Sequence, residues 1–275
     1  MQIAVSNIAW RPDEAPEVLA QLAGLGITGL ELAPTLAFPG FPAVSQAQAR
    51  EQRARWADQG FAVVAFQALL FGHPEFQVFD PATHPAFLAH LARVAELAGW
   101  LGAGPLVFGS PKNRLRGELP WEAALEQAAG FFRRAAALAW DHGAALCLEP
   151  NAPGYGADFL TDTGETVALA ARVDHPGCGV NLDAGVLTMN GEDYDAAVDL
   201  ALARMRHCHA SEPFLNRVSL GPGGPEHTDH PRLAVALRKH GYQGWVSLEM
   251  RSDPDGPNPR AVAAAASQVL ATYGD

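Results

Sequence analysis

The stretch GVNLDAGV (residues 179–186) decides how the rest of the chain is interpreted, because it joins a strand-like run to an isolated carboxylate. Val180 and Leu182 have the apolar character of a buried strand, and Asp183 follows at once. A carboxylate at the end of a buried apolar strand costs several kcal/mol unless a partner compensates it. The partner of Asp183 must therefore come from elsewhere in the chain.

Three other strand-like runs carry a polar side chain at a similar place. The run ALCLEP ends near Glu149, the run MRHCHASEP contains His209, and the run WVSLEM ends near Glu249. For any one of these residues alone, capping of the next helix or pairing with a lysine or arginine is the simpler interpretation. Taken together with Asp183, the four side chains favour a meeting around one positive charge.

Short apolar runs alternate with helical patterns from one end of the sequence to the other. Eight strand-like runs are present: QIAVSN, ITGLEL, FAVVAFQ, PLVFGS, AALCLEP, CGVNLD, MRHCHA and GWVSLEM. Strict alternation of strands and helices is typical of a parallel sheet. Eight such units predict a closed (β/α)8 barrel, and a doubly wound open sheet is the alternative.

The segments between the strands show the period of an α-helix. Phe87, Leu91, Val94 and Ala98 recur at helical spacing. A further helix is predicted to start near residue 162, where Asp162 can cap its first turn. No linker and no change in composition divides the chain, so residues 1–275 are predicted to form a single (β/α)8 barrel domain. The Pro/Gly-rich stretch 219–231 reads as a long loop after strand 7, and His227 and His230 within it are expected to be solvated.

Composition excludes several classes of partner. The formal net charge is −11, from 19 Lys+Arg against 30 Asp+Glu, and no basic run is present. Because nucleic-acid binding depends on a basic face, a DNA or RNA partner is disfavoured, and a neutral or weakly charged small substrate fits better. The three cysteines lack metal-ligand spacing, and neither a signal peptide nor an apolar run of membrane-spanning length is found. A cytoplasmic protein is the expectation, with no membrane partner, and a homodimer is left open.

A metal ion resolves the question raised by Asp183. Active sites of barrels lie at the carboxyl ends of the strands, where Glu149, Asp183, His209 and Glu249 would meet. Three ionised carboxylates repel one another unless a cation sits between them. Three oxygen ligands and one imidazole favour Mn²⁺, Mg²⁺ or Co²⁺, with Zn²⁺ as the less favoured choice. His207, two residues before His209, is expected to support the site rather than bind the metal.

The motifs LEP, NLDAG, HxHxSEP and GYxGWVSLEM, in this order, resemble the xylose isomerase-like barrel superfamily. Ketose 3-epimerases and hydroxypyruvate isomerase are the nearest comparison, and the resemblance runs from ITGLEL to the final SLE. It implies that Glu149, Asp183, His209 and Glu249 bind one divalent metal. It also implies that Glu149 and Glu249 are the catalytic acid and base.

One residue departs from the pattern of these relatives, which usually carry Asp-x-x-His on strand 6. The residue three after Asp183 is Val186. The absence of that histidine argues against a multi-zinc endonuclease IV type of site, and ketose 3-epimerase specificity cannot be carried over unchanged. An apolar side chain there predicts a substrate with an apolar or deoxy edge, or with a bulkier group that reaches past Val186.

The expected activity is that of a metal-dependent isomerase or epimerase of a keto sugar or polyol, acting through an enediolate. A metal-dependent dehydratase or lyase, of the inosose dehydratase or C-glycoside deglycosidase type, is the alternative. A non-catalytic sugar-binding barrel is the second alternative. Further residues that follow the strands are predicted to contact a small carbohydrate: Trp10, Glu31, Gln67, Lys112, Arg114, Asn151, Val186 and Arg217.

Overall fold

The strands close into a barrel in the order in which they occur along the chain. The computed structural model describes residues 1–218 and 226–274. All neighbouring strands pair in parallel, and the last pairs with the first. The strands are β1 (Gln2–Ser6), β2 (Gly29–Leu32), β3 (Ala62–Phe66), β4 (Pro105–Phe108), β5 (Ala145–Leu148), β6 (Cys178–Asp183), β7 (Met205–Ser211) and β8 (Trp245–Glu249). The predicted (β/α)8 barrel is confirmed.

Successive side chains of each strand point alternately to the inside of the barrel and to the core between the strands and the helices. Leu182 and Cys208 are register partners on β6 and β7, both are fully buried, and both belong to the core between strands and helices. The next register pair, Asp183 and His209, faces the inside of the barrel, because successive side chains of a strand point to opposite faces. His209 is in turn the register partner of Ser247 on β8.

Helices surround the barrel and bury one face each. The described helices are α1 (Ala15–Gly24), α2 (Pro34–Ala37), α3 (Gln46–Asp58), α4 (His84–Leu101), α5 (Trp121–Asp141), α6 (Thr163–Val173), α7 (Ala184–Asn190), α8 (Tyr194–Ala201), α9 (His230–Lys239) and α10 (Pro259–Tyr273). The predicted apolar face of α4 is confirmed, since its four periodic residues are buried. The predicted cap of α6 is also confirmed: the Asp162 carboxylate accepts a hydrogen bond from the Glu165 N–H at 2.8 Å.

Two details differ from the sequence interpretation. One helix was expected between β6 and β7, but the structure has two. Gly191 ends α7 in the left-handed region (φ 64°), and Asp193 then caps α8. His230 is not solvated: it is the first residue of α9, it is fully buried, and its Nδ1 lies 2.7 Å from the Tyr273 hydroxyl. The solvation prediction for it was wrong because the helix begins earlier than the loop pattern suggested.

Other parts of the predicted long loop are only partly described. Residues 219–225 lie outside the described residues, and His227 is exposed. Among the helices that the structure describes, none is long and apolar enough to cross a membrane.

Candidate functional site

Four neighbouring strands place a polar residue at or near their carboxyl ends, at one end of the barrel. Asp183 is the last residue of β6, and Glu249 is the last residue of β8. Glu149 comes directly after β5, and His209 lies within β7 beside Asp183. All four are buried, with at most 7% of any of them exposed. One ligand atom from each side chain lies within 4.8 Å of the others.

The imidazole of His209 is the centre of this cluster. Its Nδ1 lies 2.9 Å from Glu149 Oε1, 3.1 Å from Glu249 Oε2 and 3.8 Å from an Asp183 carboxylate oxygen. Despite this proximity, Nδ1 makes no well-directed hydrogen bond within residues 1–218 and 226–274. A buried ring nitrogen left without a hydrogen bond among three carboxylates matches what a divalent cation requires, so the residues fit a metal.

Neighbouring side chains orient the carboxylates. Asn181 donates from Nδ2 to Glu149 Oε1 at 2.6 Å. Asp183 accepts at both oxygens: from the Ser211 hydroxyl at 2.7 Å and from the Val186 N–H at 2.7 Å. The second of these bonds caps α7, so the residue that ends the strand also begins the helix. These bonds hold the oxygens in place before any ligand binds.

A fully buried carboxylate from the other side of the barrel reaches the opposite edge of the same imidazole. Glu31, on β2, has its Oε1 3.0 Å from His209 Nε2, and its Oε2 accepts from the Ser247 hydroxyl at 2.7 Å. His207 Nε2 lies 3.3 Å from the same Oε1. Burial acts to raise the pKa of Glu31, but the two imidazoles together lower it below its ordinary value.

In the metal-free protein, the residues of the cluster change one another's pKa values. Burial, followed by the charges of Glu149 and Glu249, raises the pKa of Asp183 to about 8. Burial also raises the pKa of Glu249, against the opposing effect of His209. Burial acts to lower the pKa of His209, but the surrounding carboxylates, Glu31 and Glu249 foremost, raise it well above its ordinary value. Like charges held this close together are therefore partly neutralised by protons when no cation is bound.

A cavity of about 380 Å³ opens above the cluster. Apolar side chains form much of its wall, and the acidic cluster forms part of its lining. The lining residues are Ile8, Gln67, Ala68, Phe71, Val107, Gly109, Ser110, Pro111, Glu149, Asn151, Tyr155, Asp183, Val186, Leu215, Glu249 and Arg251. Its size suits a small molecule that presents one polar edge to the carboxylates.

The structure brings some of the predicted substrate contacts to this cavity and places others behind it. Gln67, Asn151 and Val186 line the cavity. Arg114 is fully buried behind it and donates from Nη2 to the Glu149 carbonyl and to Asn151 Oδ1, each at 2.7 Å. The guanidinium is therefore engaged by the protein itself. Glu31 is likewise engaged beneath the cavity and is not among its lining residues within the described chain.

Three of the predicted contacts lie elsewhere. Trp10 is buried near the helices and lines a separate cavity together with Leu30 and other apolar residues. Lys112 lies in a short 3₁₀ turn with its side chain exposed. Arg217 is exposed and pairs with Asp253 at 3.6 Å. Each follows a strand in sequence, but none of the three is among the described residues that line the cavity above the cluster.

Sequence reasoning missed the small residues that make room for the cluster and hold it. Asn181, Ser211 and Ser247 each lie two residues from a cluster residue on the same strand, and this spacing was the available signal. Gly109, directly after β4, faces the Glu149 carboxylate so closely that a Cβ would meet the Glu149 Cδ at 3.0 Å and its Oε2 at a shorter distance. No sequence signal marked Gly109.

Comparisons with known proteins agree with this architecture. The model of the family described as "Xylose isomerase-like TIM barrel" matches residues 19–273. The chain is 22% identical to an inosose dehydratase of Mesomycoplasma hyopneumoniae over 306 aligned positions, which cover 98% of this chain and 95% of that protein.

Two solved structures illustrate the likeness in fold. D-psicose 3-epimerase from Clostridium cellulolyticum H10 superposes with a TM-score of 0.79 at 18% identity, covering 99% of this chain and 98% of that one. The 3-keto-D-glucoside 4-epimerase from E. coli gives a TM-score of 0.77 at 16% identity, covering 98% of this chain and 99% of that one.

Proposed function

The chain belongs to the xylose isomerase-like TIM barrel family, and we propose that it is a divalent-metal-dependent isomerase or epimerase of a small keto sugar or polyol. The observation that carries this proposal is the buried ring of Glu149, Asp183 and Glu249 around the unbonded Nδ1 of His209, at the floor of a cavity. Mn²⁺, Mg²⁺ and Co²⁺ suit this oxygen-rich ligand set better than Zn²⁺. The four residues are proposed as the ligands.

A bound cation would act as a Lewis acid for the negative charge that develops on a sugar oxygen when the neighbouring carbon loses its proton. Glu149 and Glu249 are proposed to transfer that proton. Both carboxylates line the cavity, and they approach His209 Nδ1 from two different strands, β5 and β8. One would accept the proton and the other would return one, at the opposite face for epimerisation or at the adjacent carbon for isomerisation.

The two glutamates have different surroundings. Glu149 accepts a hydrogen bond from the Asn181 amide at Oε1, and its backbone carbonyl accepts one from the buried Arg114. The pKa of Glu249 is raised, with burial as the leading cause. We therefore assign Glu149 as the base that starts the reaction and Glu249 as the group that holds the second proton.

The substrate is proposed to be a free carbohydrate whose polar edge faces the carboxylates. Gln67 and Asn151 line the cavity and are proposed to contact it, whereas Val186 presents an apolar surface beside Asp183. A hydroxyl buried against Val186 would lack a hydrogen-bond partner there. A cytoplasmic location and a homodimer remain predictions.

A metal-dependent dehydratase is the second candidate, because a curated relative that aligns over nearly the whole chain is an inosose dehydratase. The same metal ligands and the same base would serve, but the substrate would lose water instead of regaining a proton. A C-glycoside deglycosidase would instead release its aglycone.

Proton exchange separates these candidates. The protein, loaded with Mn²⁺ for turnover and with Mg²⁺ for NMR, is incubated in D₂O with a panel of ketoses and keto-inositols. Deuterium at a carbon next to the carbonyl is expected, together with an epimer or isomer. Loss of water or of an aglycone would move the assignment to the dehydratase or the deglycosidase. A protein that binds metal but exchanges no proton of any panel member would favour a sugar-binding barrel.

The metal itself is tested independently of turnover. Elemental analysis of wild-type, Asp183→Ala and His209→Ala proteins is expected to find one divalent ion per wild-type chain and little in either variant. Wild-type metal content in both variants would refute the assigned ligands.

A further inference from the structure

Glu31 is the buried carboxylate of the barrel interior whose place the proposed chemistry does not explain. It is fully buried, yet it accepts from two donors on other strands: His209 Nε2 at 3.0 Å and the Ser247 hydroxyl at 2.7 Å. β2 is separated from β8 by β1 and lies still further from β7 in the barrel order. The side chain therefore reaches across the inside of the barrel to meet these two partners.

This contact determines which nitrogen of His209 is free. A neutral imidazole has one nitrogen that donates through its N–H and one nitrogen with a lone pair. An ionised carboxylate can accept hydrogen bonds but cannot donate them. In the metal-bound state the imidazole keeps one proton, the contact of Nε2 with Glu31 at 3.0 Å places that proton on Nε2, and the Nδ1 lone pair points at the three carboxylates of the cluster. A lone pair aimed at three carboxylates is unfavourable by itself and becomes favourable when a cation lies between them.

We propose that Glu31 is a positioning residue for the metal site: by accepting the Nε2 proton of His209 and the hydroxyl proton of Ser247, it fixes the tautomer and the orientation in which His209 presents Nδ1 to the metal. This inference rests on the metal-binding part of the proposed function. Glu31 contacts His209, the proposed metal ligand, and not the substrate, since it is absent from the described lining of the cavity.

His207 completes the buried group without competing for this role. Its ring stands nearly perpendicular to that of His209, at 86° with centroids 5.3 Å apart. Its Nε2 lies 3.3 Å from Glu31 Oε1, but neither of its ring nitrogens has a well-directed hydrogen bond in the described portion of the chain. His207 therefore stabilises the Glu31 anion by proximity, while His209 and Ser247 supply the directed bonds.

A different arrangement of the same atoms is chemically conceivable and is distinguished by stoichiometry. Glu31, His207 and His209 offer ligand atoms within 4.8 Å of one another, as a second cation would need. That second cation would replace the proton on Nε2 of His209. The His209 ring would then carry no proton and would lie between two metals. The hydrogen bonds that Glu31 already accepts from His209 Nε2 and from the Ser247 hydroxyl favour the arrangement with a single metal.

The test is the Glu31→Gln variant, whose amide keeps the size of the side chain and an acceptor oxygen but removes the charge. Removing such a partner typically weakens metal affinity by about 10–100-fold. Dissociation constants for Mn²⁺ and Co²⁺ are measured by competition with a chromophoric chelator. The matched control is Glu212→Gln: Glu212 is as deeply buried, with its carboxylate accepting from the Thr228 N–H, and it faces the start of α9. This control is expected to keep wild-type metal affinity.

Each outcome of the titration is decisive. Wild-type affinity in Glu31→Gln would overturn the inference alone, and two tightly bound ions per wild-type chain would also overturn it. A wild-type protein that binds no divalent metal would overturn the proposed function and the inference together. If Glu31→Gln does not fold, ¹⁵N NMR of the wild-type imidazoles decides: a protonated Nε2 on His209 is expected in the Mg²⁺-loaded protein, and protonation at Nδ1 would refute the role of Glu31.

Discussion

The contact between Gly109 and Glu149 allows the site to be perturbed without replacing any of its proposed metal ligands. Gly109 follows β4, and its backbone is not among the described residues with positive φ, so an alanine can adopt its conformation. The Cβ of an alanine would lie 3.0 Å from the Glu149 Cδ and closer still to Oε2. Carbon atoms prefer a separation of about 3.5–4.0 Å, so the carboxylate must move by roughly 1 Å.

A displacement of that size matters for catalysis more than for stability. Moving a reacting group by about 1 Å typically costs about 10²-fold in rate, or about 2.7 kcal/mol of transition-state stabilisation. The atoms that crowd the new methyl group all belong to the Glu149 side chain, which can swing away. We therefore expect the unfolding free energy of metal-free Gly109→Ala to differ from wild type by less than about 1 kcal/mol, because loss of glycine entropy in the unfolded chain offsets the crowding.

The assay compares Gly109→Ala with Gly104→Ala, which precedes the same strand and whose Cβ would meet no atom within 4 Å. Metal affinity is measured by calorimetry, and the rate of proton exchange is measured in D₂O. Both should fall in Gly109→Ala and remain unchanged in Gly104→Ala. Adding Glu149→Asp to Gly109→Ala should cost less than the sum of the two single changes, because the shorter side chain leaves room for the methyl group. Wild-type metal affinity and exchange rate in Gly109→Ala would refute the assigned role of Glu149.

Three further predictions concern protonation, specificity and buried charge. Because the pKa of Asp183 is raised to about 8 without metal, and the pKa of His209 is raised as well, both groups must lose a proton to bind metal. Metal affinity should therefore rise by about tenfold or more per pH unit between pH 6 and 8, and chelator should lower the melting temperature more at pH 8 than at pH 5. A pH-independent affinity would contradict this. Val186→His should change the ratio of kcat/KM between sugars that differ at one hydroxyl, by an amount equivalent to about 1–3 kcal/mol of transition-state free energy. Unchanged ratios would show that residue 186 does not face the substrate. Arg114→Met should lower the unfolding free energy by about 2–5 kcal/mol in chemical denaturation, because two buried oxygens, the Glu149 carbonyl and Asn151 Oδ1, lose their donor; a loss below about 1 kcal/mol would argue that they find other partners.

The barrel could be predicted because its determinants are local and repeat eight times. Each strand-like run in the sequence overlaps an observed strand, and the boundaries differ by only a few residues. The number of units favoured closure, since eight consecutive β/α units are what a (β/α)8 barrel contains. The places where the prediction failed are the ones where a local signal was short: the break at Gly191 between α7 and α8, and the start of α9 at His230.

The meeting of Glu149, Asp183, His209 and Glu249 followed from the same repetition, because consecutive strands of a barrel place their ends side by side. Loop residues do not share that constraint. Lys112 and Arg217 follow strands as Gln67 and Asn151 do, yet only the second pair reaches the cavity. The direction of a loop side chain depends on turns and on contacts with residues distant in the sequence, and neither leaves a period in the sequence.

Contacts across the barrel are the hardest to obtain from sequence. Alternation along a strand marks Asn181, Ser211 and Ser247 as inward-facing neighbours of the cluster, so their presence near it was available in principle. It does not say that Glu31 meets His209, 178 positions away, because that pairing depends on the stagger of the strands around the barrel. The stagger sets which inward side chains share a layer, and a shift of one residue would replace each inward side chain with its outward neighbour. The four proposed ligands of this site are thus encoded strand by strand, whereas the orientation of His209 is a property of the closed barrel.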